Sequence, residues 1–341
     1  MMNAAFNRTL AAAALAAALA APASAELVFT TEYGIEFSTI GDAGNPVVPQ
    51  SVGPSLYLGT PPTLIGSVNY EYRIARTETT VEQWAEFITA YRPHYTAGNP
   101  NFLPFTGRWI QWSEPQQKYV YDPAFAQVAT DPSWRVAAAY CNWLHNDKAS
   151  EAWAFESGAY DTSTFTFNPD GTINDQAEHS PAARFWIPTL DEWTKAMHWD
   201  PDRYGPGDGG YWVYPTSSDD APVSGVPGVG HTSGGLPAIP LSSYFPVGSY
   251  TDVQSPWGLW DGSGSEREWI ETIADRRFRL LKGTEPGVSP LFADRIDRVS
   301  NIGAPSGSGY GFRLAAVVPA QSTTLVVIGP VALITPRRRR S

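Results

Sequence analysis

The sequence predicts an α+β domain of irregular plan, made of short strands, a few capped helices and long loops. Three observations predict it. The chain carries 30 glycines and 30 prolines among 341 residues, enough to break regular elements into short pieces. It carries 13 Trp, 16 Tyr and 15 Phe, rings large enough to hold together a core with little long helix. Two Thr-x-x-Glu capping boxes open amphipathic runs, while alternating apolar stretches elsewhere are brief. No internal repeat is visible.

Composition narrows the possible functions. Hydrophobic residues at 43% and charged residues at 17% give a globular balance with ample material for a buried core. The formal net charge is −11. Removing Arg8 with an N-terminal signal and Arg337 to Arg340 with a C-terminal tail takes it from −11 to −16. Such a surface repels a phosphate backbone, so nucleic-acid binding is not expected. The single cysteine, Cys141, permits no internal disulfide. Stability then rests on packing, with a bound metal as the alternative.

The elements follow in order. Residues 1–25 read as a secretory signal: Arg8, an apolar run from Leu10 to Ala21, then Ala23-Ser24-Ala25 before Glu26. Residues 26–65, rich in Gly, Pro, Ser and Thr, read as an N-terminal extension with little helix. From Val68, Tyr70, Tyr72 and Ile74 alternate with Glu71, Arg73 and Ala75, the pattern of a half-buried strand. Thr79 and Glu82 make a capping box for a helix that aligns Val81, Trp84, Phe87, Ile88 and Tyr91. A second helix spans about Ser133 to Asn146 and takes Cys141 into it as a small buried hydrophobe.

Residues 165–173 read as two short strands around Asp170-Gly171, a plain hairpin in preference to a calcium loop through Asp170 and Asp175. A third helix starts at Thr189 with a box to Glu192. Residues 204–240 form a long loop segment with no convincing element, and 247–316 read as short strands joined by loops.

Several of these segments occur in a recognisable order. Tyr72 to Thr80 resembles the opening strand and "E-V-T" step of the formylglycine-generating enzyme (sulfatase-modifying factor) family. Ser133 to Trp143 resembles its "S-W-x-x-A-x-x-Y-C-x-W" helix, and Arg184 to Trp193 its "R-L-P-T-E-A-E-W". Val247-Gly248-Ser249 and Pro256 to Asp261 resemble "V-G-S…N-x-F-G-L-Y-D". Glu268-Trp269 resembles the end of "N-V-W-E-W", and Gly311-Phe312-Arg313 the closing "G-F-R". The resemblance covers residues 66–316 and implies the family's irregular fold, related to C-type lectins. Residues 317–341 are similar to a PEP-CTERM sorting tail, with an apolar stretch from Leu325 to Ile334 and then four arginines. Ala320 and Gln321 stand where Glu and Pro are usual. That resemblance implies a protein of a Gram-negative bacterium, exported to the surface or medium after a sorting-tail protease acts, and at the membrane only transiently.

The resemblance also sets expectations for chemistry. The family's oxidases hold copper(I) on two cysteines between an "R-G-G-S" strand and the final "G-F-R". The matching stretch, Arg279 to Glu285 and on to Gly311, contains none, so copper and formylglycine-forming oxidation are not expected. The three-histidine iron site of the related sulfoxide synthases is not matched by the scattered His94, His145, His179, His198 and His231. Calcium is the remaining metal candidate, with Glu268 its side-chain ligand in the loop Gly264 to Trp269, where Arg267 and Ser265 depart from the family pattern. No cofactor and no catalytic residue is assigned. Asp261, Glu268, Asp275 and Glu285 show no diagnostic pairing and read mostly as solvated carboxylates. The leading expectation is a non-catalytic binding or structural module whose Tyr211, Trp212 and Tyr214 stack on a ligand such as exopolysaccharide, or contact another surface protein. The alternatives are an enzyme of the same superfamily with an altered site and an inactive regulator of a true family member.

Overall fold

A computed structural model describes residues 27–48, 64–102, 105–239, 241–274, 276–303, 305 and 309–319. The expected signal, most of the expected sorting tail and Asp275 lie outside the described residues.

The chain begins with a hairpin. β1 (Phe29–Glu32) pairs antiparallel with β2 (Ile35–Ile40), which pairs with β3 (Tyr72–Ala75). The segment before residue 65 therefore supplies two strands to the main sheet. Next come α1 (Val81–Tyr91), the hairpin β4 (Ile110–Ser113) and β5 (Lys118–Tyr121), and α2 (Trp134–His145). The short α3 (Trp153–Glu156), β6 (Phe185–Trp186) and α4 (Leu190–His198) follow, then the paired β7 (Trp199–Asp200) and β8 (Gly210–Tyr211). The last third holds β9 (Glu268–Ala274), β10 (Phe278–Lys282), α5 (Pro290–Ala293), β11 (Ser300–Gly303) and β12 (Ala315–Ala316). β12 slots between β3 and β6, so the far end of the chain closes the five-stranded sheet β1-β2-β3-β12-β6; β11-β10-β9 form a second sheet.

Aromatic rings join these layers, as the composition anticipates. Phe312 packs edge-on against Trp84 of α1 at 5.8 Å and Tyr140 of α2 at 5.7 Å, and Phe87 meets Tyr140 at 5.2 Å. Edge-to-face pairs of this kind add about 0.5–1.5 kcal/mol each beyond the area they bury. α2 is buried from Trp134 to Leu144, and Cys141 lies fully inside it, as its position in an Ala-rich helix indicates.

Three local expectations need correction or refinement. β3 is buried at all four positions rather than alternating; Arg73 is accommodated by Glu32 at 2.7 Å and by the Val317 carbonyl at 2.7 Å. The capping box of α1 is Thr80 with Gln83, one residue later than Thr79 with Glu82. The Thr79 backbone is already engaged, its N–H donating to Phe312 O and its carbonyl accepting from Thr130 N, so the helix cannot begin there. The 165–173 segment is a single antiparallel bridge, Phe167 to Ile173, closed by Asp170 accepting from the Thr172 N–H. Asp175 there pairs with Arg135 at 2.6 Å, both side chains fully buried, a structural role.

Candidate functional site

The motifs shared with the family converge in space although they are distant in sequence. Arg313, two residues before β12, is fully buried and forks onto Glu268 at the start of β9, Nε to Oε2 at 2.6 Å and Nη2 to Oε1 at 2.5 Å. Its remaining N–H groups donate to the carbonyls of Ala75, Arg76 and Trp260. Trp193 of α4 donates its indole N–H to Glu268 Oε2 at 2.9 Å. The sequence points to Glu268 as the side chain for calcium. The structure commits both its oxygens to Arg313 and Trp193, so the carboxylate already carries its countercharge and is not an open ligand. Among the described residues no three His, Cys, Asp or Glu side chains gather to hold a metal.

Around this pair lie buried and half-buried carboxylates, of which Asp261 departs from the solvated role read from the sequence. Glu78 Oε1 accepts from the Glu266 N–H at 2.9 Å, while Glu78 Oε2 has no partner. Burial, with Glu268 and Asp261 adding to it, pushes the Glu78 carboxyl well above the usual range. Asp261 accepts from the Gly248 N–H and is pushed up to about 6, mainly by burial. Glu266 accepts from Arg108 Nη1 at 3.1 Å and also leaves Oε2 unpartnered; burial raises its carboxyl well above the usual range. Arg108 reaches across to Asp131 at 3.2 Å, and Arg267 pairs with Glu285 and lies over the Tyr310 ring at 4.9 Å. Where the family's thiols are expected, Lys282 Nζ bonds carbonyls of residues 295, 296 and 298, and Thr284 donates to Asp294 at 3.0 Å. These are hard oxygen and nitrogen groups. Copper(I) does not fit them. The only thiol, Cys141, is buried in α2 and its acidity is suppressed by that burial.

A second feature is an open cleft of about 390 Å³ with aromatic walls, Trp199, Tyr204, Tyr211 and Trp212. The β7–β8 pair positions them. Tyr211 packs against Trp199 at 4.9 Å, and its hydroxyl accepts from Asn45 and lies 2.7 Å from the Gly66 carbonyl. Trp212 donates its indole N–H to Asp200 at 3.1 Å, and Arg203 lies 4.2 Å over its ring while pairing with Asp219. Tyr204 is 66% exposed at the mouth. Gly209 is required: a Cβ there would lie 2.5 Å from the Trp199 ring. The cleft has Tyr211 and Trp212 on one wall, Tyr211 largely buried with its hydroxyl engaged. Tyr214 departs: it is buried, and its hydroxyl donates to the Leu291 carbonyl. Trp199, Arg203, Tyr204 and Asp219 were not legible as site residues, since only the β7–β8 pairing folds them onto one surface.

The chain is similar to several solved structures. Treponema denticola variable protein 1 is 18% identical, with 86% of this chain and 99% of that chain covered and a TM-score of 0.47. The crystal structure of CarF gives 17%, 83%, 98% and 0.46, and PvdO from Pseudomonas aeruginosa gives 15%, 87%, 99% and 0.45. Scores below 0.5 at such identities establish nothing by themselves. No curated protein sequence matches. The model of the sulfatase-modifying factor enzyme 1-like domain matches residues 61–318, most of the chain, in agreement with the motif order and with the mixed short-element fold. The chain belongs to that family.

Proposed function

We propose that the protein is an exported, non-catalytic binding module of this family, which takes a saccharide in the Trp199–Tyr204–Tyr211–Trp212 cleft. The cleft carries the reading. Apolar C–H faces of sugar rings stack on indole and phenol faces, and sugar hydroxyls pair with carboxylate and guanidinium groups such as Asp219 and Arg203. Its volume suits one or two sugar rings and lies in the range of small-ligand sites. The lack of a thiol pair and the commitment of Glu268 to Arg313 and Trp193 support a role without oxidation. The signal-like N-terminus and sorting-like tail support display or release at the cell surface, where an exopolysaccharide is the natural ligand and another surface protein the competing partner.

The test is a glycan array with the purified protein, followed by titration of any hit against Trp212→Ala. Saturable binding lost by at least tenfold in the variant supports the proposal, and an array without a hit counts against it. A second reading, an enzyme with an altered site, draws on the unpartnered Glu78 and Glu266 oxygens beside Arg108. A transition metal retained on purification and lost in Glu266→Gln would favour it.

A further inference from the structure

A larger cavity, about 780 Å³, opens where residues 67–70, the loop 177–181 and the first turn of α4 meet. The family motifs do not mark it as a site, and the aromatic cleft does not include it. Its wall is organised around His179. That imidazole stacks on the Trp186 indole at 4.4 Å with 13° between planes. Its Nδ1 lies 3.0 and 3.1 Å from the two oxygens of Glu271, which is buried and also accepts the Tyr160 hydroxyl at 2.6 Å and the His179 backbone N–H at 2.8 Å. A carboxylate facing Nδ1 puts the proton of the neutral ring there, so Nε2 is an acceptor. Among the described residues Nε2 has no protein partner. Stack, carboxylate and backbone contact together hold an unused acceptor in fixed orientation, the arrangement expected of a group that meets a ligand.

The electrostatics choose the ligand's charge. Glu178, Asp191 and Glu271 line the cavity with His179, and among the described residues no lysine or arginine lines it. Asp191 Oδ1 accepts from the Gly66 N–H at 2.7 Å, and among the described residues its second oxygen has no hydrogen-bond partner. Burial raises the Asp191 carboxyl, the mark of a carboxylate short of a countercharge. Tyr70 at the rim donates to the buried Glu192 at 2.9 Å, and burial together with Glu192, Glu271 and Asp191 pushes its hydroxyl far up. Even with His179 protonated the lining is net negative, so an anion is repelled.

We propose that this cavity binds a small organic cation, an ammonium or guanidinium group, whose N–H donors are accepted by Asp191 and by Nε2 of neutral His179. Burial lowers the His179 pKa, but Glu271 together with Glu192 and Glu178 outweighs it and holds the ring above its ordinary value, so affinity grows as pH rises through that titration. Glu178, Asp191, Glu192, Glu271 and Tyr70 face it, while behind Glu271 stand Tyr160, which donates to its carboxylate, and the buried Arg279, which donates to the Glu271, Ala177 and Gln176 carbonyls. The same chemistry is available from a free polyamine or from a basic side chain of a peptide.

The test is NMR of the His179 ring and Trp186 indole resonances of the purified protein, titrated with agmatine in one arm and with blocked Gly-Arg-Gly in another. Saturable shifts are expected in at least one arm, weaker at pH 5.5 than at pH 8. Tighter agmatine binding identifies a free amine as the source, and tighter peptide binding a basic side chain. Asp191→Asn keeps the oxygen that accepts from Gly66 and should weaken binding about tenfold, the worth of a charged hydrogen bond. Glu151→Gln, on the exposed surface, should not change it. Absence of saturation in both arms overturns the proposal, as does equal affinity in Asp191→Asn.

Discussion

Replacing Arg313 by Met tests whether the motif centre is a structural lock. The side chain is fully buried, forks onto Glu268, and donates to carbonyls on two other segments. Its loss leaves Glu268, 1% exposed, as a buried charge without its cation. Breaking one side of such a pair costs about 3–5 kcal/mol. The carbonyls left short of a donor add about 1 kcal/mol. The total, about 4–6 kcal/mol, is a large share of the roughly 5–15 kcal/mol that holds a domain folded. Glu268→Met should cost a similar amount, about 3–5 kcal/mol, because it strands the guanidinium. Replacing both by Met removes both charges at once, so the double variant should lose only about 2–3 kcal/mol, mostly from orphaned carbonyls and the Trp193 indole N–H. Urea unfolding followed by tryptophan fluorescence and circular dichroism measures the cycle. Should Arg313→Met fail to fold, Arg313→Lys keeps the charge while losing the fork and most of the carbonyl contacts, and supplies a milder comparison at a cost of about 1–2 kcal/mol. Single costs below about 1 kcal/mol, or a double variant that equals the sum of the singles, would refute the reasoning.

Other outcomes follow from the same geometry. Burial pushes Asp294 up to about 7 despite the hydroxyls of Ser263 and Thr284. An acid whose folded pKa is raised favours the folded state while protonated, so stability should fall as pH rises from about 4 to about 7, and Asp294→Asn should flatten that slope in urea titrations. Gly209→Ala should disrupt the cleft wall, because the new methyl meets Trp199; a loss of about 1–3 kcal/mol and a displaced Trp199 indole resonance are expected. Cys141 should resist a thiol reagent in the native protein and react fully in urea, one thiol per chain, since burial suppresses its thiolate.

Local signals carried much of the fold. Thr189 with Glu192 caps α4 where the residues say, and Ser133 caps α2 by accepting from the Val136 N–H. α1 slipped by one residue because Thr79 is held by Phe312 and Thr130, partners far along the chain that no local pattern contains. Arg73 read as the exposed face of a half-buried strand and Glu268 as a calcium ligand because their neutralising partners, Glu32 and Arg313, lie far away in the sequence. Tyr211 and Trp212 were legible as a ring cluster; their neighbour Tyr214 points into the protein because its hydroxyl is taken by Leu291. The His179–Glu271 pair left no sequence signal at all, since its members lie 92 residues apart and neither belongs to a spaced motif.

The most direct measurement supplies the purified protein with copper(I), oxygen and a Cys-x-Pro-x-Arg peptide, and follows the peptide by mass spectrometry. The account predicts an unmodified peptide from protein shown to be folded, because the motif centre offers paired carboxylates, arginines and hydroxyls in place of two thiolates. Formation of the aldehyde would contradict it and would show that this fold carries out the oxidation through other ligands.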